Sequence, residues 1–190
     1  MTKGRLEAFS DGVFAILITI MVLELKTPQG ASWEALSNLW PLLLTYLLSF
    51  VFLGVYWSNH HHLFHAVQKV NGAVLWANLH LLFWLSLVPF VMAWVGNHGL
   101  ETWPVAFYGF VQFMAGLGYF ILVQALLRHH GRNSALSRAL GSDLKGKFSV
   151  VVYFAAIPLA FYFPVASYVL FFLVLAVWLV PDRRFERLTA

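Results

Sequence analysis

The chain has 190 residues, of which 61% are hydrophobic and only 11% charged, against roughly a quarter charged in ordinary soluble domains. That composition excludes a water-soluble fold. The formal charge of +4 comes from Lys and Arg scattered through short loops and beside helix ends, which excludes the continuous basic face that nucleic acid requires, and the absence of cysteine excludes a disulfide framework or a thiolate metal site.

Long uncharged apolar runs predict an all-α polytopic membrane protein of six transmembrane helices, one domain over residues 1–190, because about 18 or more apolar residues are needed to cross a hydrocarbon core of roughly 30 Å. Helix one is predicted from about Phe9 to Leu25, stopped by Thr27-Pro28-Gln29-Gly30. Helix two follows from Leu36 to Tyr56, helix three from Ala73 to Val95 and helix four from Val105 to Leu127, with Pro104 suited to its first turn. Helices five (Phe148 to Phe161) and six (Val165 to Val180) are separated by Tyr162-Phe163-Pro164; Pro158 should kink the fifth and Pro181 close the sixth.

Six crossings put eleven of the twelve Lys and Arg residues on one side: Lys3, Arg5, Lys69, the group from Arg128 to Lys147 and the group from Arg183 to Arg187. Only Lys26 falls on the other. Basic residues are retained on the cytoplasmic side, so both termini are expected there. Trp33, Trp57, Trp94 and Trp103 near helix ends supply an interfacial belt. Lys3 and Arg5 before an apolar stretch have the look of a signal peptide, but Glu7 and Asp11 interrupt its start and no small-residue cleavage site follows Leu25, so helix one is expected to be retained.

An ionisable residue inside a membrane helix costs several kcal/mol unless it is paired or faces water. Asp11 is therefore the strongest local clue in helix one. At 3.6 residues per turn, Phe9, Gly12, Ile16, Thr19, Leu23 and Thr27 share a stripe with Arg5, while Asp11, Phe14, Ile18, Val22 and Leu25 lie on the other side. Around an axis of several copies, Ile16 and Leu23 would form apolar rings that gate by dewetting, and Thr19 a hydroxyl ring that replaces part of an ion's hydration shell. Periodicity leaves a second reading open, in which Ile16 and Leu23 pack against a neighbouring helix and Thr19 bonds to its own backbone. Asp11 is expected to turn into the bundle and meet Asn78, His80 or the histidines that end helix two, including His61, in a buried network.

Arg5-Leu6-Glu7-Ala8-Phe9-Ser10-Asp11 resembles the Arg-x-x-x-Phe-Ser-Asp signature that opens the first helix of the bacterial and lysosomal potassium channels of the transmembrane protein 175 type. The Asn59-His60-His61 stretch, Asn78, Leu82-Phe83 and Pro89-Phe90 look like prokaryotic members; the further histidine His62 goes beyond the pattern. The resemblance implies a homotetramer, since the signature occurs once in this chain and twice in animal members. It also implies a pore lined by helix one, with Ile16 and Leu23 as constrictions, Thr19 bearing on selectivity, and Arg5, Phe9, Ser10, Asp11, His61, Asn78 and His80 as the signature and its anchoring network. The permeant ions would be potassium and other monovalent cations, with modest selectivity, because the Thr-Val-Gly-Tyr-Gly carbonyl filter of other potassium channels is missing from the sequence. No cofactor, metal or catalytic residue is expected, and the location implied is a bacterial plasma membrane.

Two rival readings are weaker. A proton-coupled or other secondary transporter would show internal repeats and charges at mid-membrane, whereas Asp11 and Glu24 lie near the ends of their span. A membrane metal enzyme could start from the His60 to His65 cluster, with His80, His129 and His130. No carboxylate lies near His60 or His130 in sequence.

Overall fold

The computed structural model describes residues 2–131, 134, 136–137 and 144–179, and these form helices joined by short turns. Val180 and Pro181, the predicted end of helix six, lie outside the described residues. So do Arg132, Arg138, Arg183, Arg184 and Arg187, which carry much of the charge asymmetry.

Helix α1 (Lys3–Leu23) starts nearly two turns before the apolar run predicts, so Arg5 and the motif that follows it lie on the helix. A short α2 (Trp33–Ser37) is capped by Ser32, whose Oγ accepts from the Ala35 amide at 3.2 Å. It occupies part of the segment predicted to begin helix two. Helix α3 (Trp40–His65) instead begins with Pro41 in its first turn and runs on through the histidines, which makes His60, His61, His62 and His65 helical residues.

The third predicted helix is divided. Asn71 caps α4 (Gly72–Ser86) by accepting from the Val74 amide at 3.0 Å. Pro89 then sits in the first turn of α5 (Val88–His98), where it has no N–H to continue the preceding ladder. Taken together, residues 72–98 still form one apolar span of 27 residues. Gly99, at φ +69°, ends α5 in a conformation that favours glycine.

Helix α6 (Thr102–His130) is the longest among the described residues, and Gly131 at φ +82° follows it. Helix α7 (Leu144–Leu159) carries Pro158 in its last turn, and α8 (Pro164–Leu179) begins on a proline. Among the described residues four spans are long and apolar enough to cross a membrane: α1, α3, the α4–α5 pair and α6. At 16 residues each, α7 and α8 are about 24 Å long. The chain is a helical membrane protein.

Helix α6 is the centre of the bundle, packed against α4, α5, α7 and α8, whereas α1 lies against α3, α5 and α4. Small residues set the closest approaches. A Cβ on Gly118 would stand 3.0 Å from the Leu81 Cα of α4, and one on Gly96 would meet the Leu42 side chain and stand 2.9 Å from its Cα on α3. Buried hydroxyls tie the layers together: Ser49 bonds Tyr108 at 3.0 Å, and Tyr168 donates to Thr45 at 2.9 Å.

Candidate functional site

Helix α1 has one buried face. Leu6, Ser10, Phe14, Leu17 and Met21 recur at helical spacing and turn into the bundle. The Ser10 hydroxyl donates to the Leu6 carbonyl at 2.9 Å and receives the Asn78 side-chain amide at 3.0 Å. Since that amide nitrogen donates to Ser10, the Asn78 Oδ1 accepts, and it receives His60 Nε2 at 2.8 Å. The proton of His60 is therefore on Nε2. Ser10, Asn78 and His60 are all buried, and the His60 ring lies edge-on to Phe14, with centroids 5.7 Å apart. One chain of hydrogen bonds thus joins α1, α4 and α3.

This arrangement corrects three expectations about the buried network. Asp11 is not in it: one residue beyond Ser10 is about 100° round the helix, and its half-buried carboxylate accepts from the exposed Trp57 indole at 3.0 Å. His61 is not in it either. Its ring stacks between Trp57 and His65, with both centroid distances 6.2 Å, on the exposed side of α3. His80 lies on another face of α4, edge-on to Trp84, and its Nε2 is buried with no hydrogen-bond partner among the described residues. A serine fits the buried position better than a carboxylate because its one proton is satisfied by its own helix.

The opposite face of α1 is exposed. Phe9 is 50%, Ile16 56% and Leu23 75% exposed, and Gly12 and Thr19 are open as well. Arg5 shares this face and has no ion-pair partner among the described residues, where Lys3 and Glu7 form the pair, at 3.7 Å. Thr19 Oγ1 donates back to the helix, with Ala15 and Ile16 carbonyls each at 2.9 Å. Its oxygen lone pairs remain on the open side.

The residues that sequence reasoning missed are Trp57 as the partner of Asp11, and His60 rather than His61 as the buried imidazole. Trp57 and His61 are four apart, which places them on one helix face, but nothing in the pattern says that this face meets Asp11. Among the described residues no three His, Cys, Asp or Glu side chains converge as metal ligands.

The family described as endosomal/lysosomal potassium channel TMEM175 matches residues 5–89. A protein from a Chryseobacterium species named a potassium channel is 50% identical over 187 residues, 98% of this chain and 97% of its own length. The human endosomal/lysosomal proton channel TMEM175 is 37% identical over 86 residues, 39% of this chain and 17% of that protein. The crystal structure of a lysosomal potassium-selective channel TMEM175 homologue from Chamaesiphon minutus superposes with a TM-score of 0.81 at 29% identity, covering 95% of this chain and 97% of that one. These relatives are channels, not enzymes. The chain belongs to the TMEM175 potassium channel family.

Proposed function

We propose that this chain is a potassium-preferring cation channel in which four copies bring the exposed face of α1 to a common axis. The observation that carries this reading is the two-sided character of α1: a polar chain through Ser10 fixes one face, and a face bearing Ile16, Thr19 and Leu23 is left uncovered by the chain's own helices. A long exposed apolar face invites either lipid or a second copy. The hydroxyl of Thr19, set between two apolar rings, favours the second.

In the assembled channel Ile16 and Leu23 form hydrophobic constrictions that open by wetting or widening. Thr19, with its proton engaged by the backbone, offers oxygen lone pairs to a partly dehydrated cation. Ser10, Asn78 and His60 hold the rotational setting of α1, with Asp11 bonded to Trp57 at its flank. The chain acts as one domain that crosses the cell membrane six times, with both termini cytoplasmic. Conduction needs only the electrochemical gradient. The test is reconstitution into bilayers with potassium on one side and sodium on the other: a reversal potential displaced toward the potassium equilibrium value is expected, and no current, or a chloride-selective one, overturns the reading.

A further inference from the structure

Away from α1, the helices α4 and α6 touch at Leu81 and Gly118 and enclose a groove of about 720 Å³ toward the α4 N-terminus and the α6 C-terminus. The volume lies within the range of ligand pockets, roughly 300–1,000 Å³. At one end lie Arg128 and His129; farther in, Phe120, Ile121 and Gln124 of α6 and Trp76 and His80 of α4 line it, so apolar and polar side chains are interleaved there. Helix α6 has 29 residues, about 43 Å, which is longer than the roughly 30 Å hydrocarbon core. Arg128, two residues from its end, therefore falls at headgroup depth, and Phe120 about 12 Å deeper.

The polar end is chemically directed. Asn71 Oδ1 accepts from the Val74 amide, so its Nδ2 donates to His129 Nδ1 at 3.2 Å. A neutral His129 then carries its proton on Nε2 and is a donor. Arg128 is exposed, and among the described residues it has no ion-pair partner. Among the described residues no carboxylate lines the groove. Farther in, His80 lines the same groove with a buried Nε2 that has no partner among the described residues.

We propose that this groove holds a bilayer phospholipid with an anionic headgroup, its phosphate at Arg128 and His129 and an acyl chain along Trp76, Phe120 and Ile121. A guanidinium beside a neutral imidazole donor suits a phosphate, and the large apolar side chains of Trp76, Phe120 and Ile121 farther in offer contact to the chain attached to that phosphate. The exposed Arg128 guanidinium, at headgroup depth and without an ion-pair partner among the described residues, is what favours an anionic lipid over a second protein copy. This site is separate from the pore face of α1.

The test is native mass spectrometry of the purified protein in detergent, titrated with phosphatidylglycerol or phosphatidylcholine. Phosphatidylglycerol should be retained at about tenfold lower concentration. Arg128→Gln should raise its half-saturation about fivefold, as expected for about 1 kcal/mol per basic residue at the membrane surface, while Arg128→Lys should keep most of the preference. Ala73→Trp, on the exposed first turn of α4 and in the groove lining, should lower occupancy by both lipids with the oligomeric mass unchanged. Equal retention of the two lipids, or an unchanged titration for Arg128→Gln, overturns the proposal. So does a change of oligomeric mass in Ala73→Trp without loss of lipid, which would assign the groove to a second copy.

Discussion

Ser10 and Thr19 are hydroxyls on the same helix, and both donate to a carbonyl one turn back at 2.9 Å. Their local chemistry is alike, but Ser10 is fully buried and receives a hydrogen bond from Asn78, whereas Thr19 is open on the far face of α1. The centres of the two faces stand about 140° apart round the helix. A side-chain hydroxyl in a membrane helix thus has no role of its own: what the neighbouring helices bring to its free lone pairs decides whether it fixes the helix or remains available to something outside the subunit.

The largest effect should come from breaking the buried side. Asn78→Leu leaves His60 Nε2–H without an acceptor and removes the donor to Ser10; at about 1–3 kcal/mol per buried unsatisfied group, a loss of about 3 kcal/mol is expected, read as a lower melting temperature of the purified protein. Gly96→Ala should follow, at about 1–3 kcal/mol, because the new methyl meets the Leu42 side chain and approaches its backbone. Ser10→Ala should cost about 1 kcal/mol, since Asn78 loses its acceptor while the Leu6 carbonyl, which also loses the hydroxyl, is still an acceptor within the helix.

Thr19→Val breaks the comparison from the other side. Melting should move little, within about 0.5 kcal/mol as for exposed substitutions, while the potassium-to-sodium permeability ratio in bilayers falls. An unchanged ratio would assign Thr19 to packing. The smallest effect is expected for Trp57→Phe, which removes the indole donor to a half-buried Asp11 that still reaches solvent; stability should change by no more than about 0.5 kcal/mol, measured in the same melting experiment.

The stripe of Phe9, Gly12, Ile16, Thr19, Leu23 and Thr27 was legible as far as Leu23 because helical periodicity separates the faces of a helix, and those first five are exposed in the structure. Thr27 falls beyond the end of α1, and Val22, expected on the other side, is exposed too. Membership of the network was less legible. Asp11 had the stronger claim by charge and Ser10 took the position, because a single residue step turns a side chain by about 100° and the setting of α1 is decided by α3 and α4. The same step separates His60, bonded to Asn78, from His61, stacked on Trp57. The break between α4 and α5 could be placed at Pro89, yet the apolar run reads straight through it.

By itself, the sequence determined that the chain is helical and membrane-embedded, that α1 has a distinct stripe, and which signature it carries, since composition, period and motif are local properties. Only the tertiary structure decided that Ser10 rather than Asp11 joins Asn78 and His60, and that α4 and α6 part into a groove beside Arg128. Both depend on how helices far apart in the chain are rotated and spaced against one another, and no single segment carries that information.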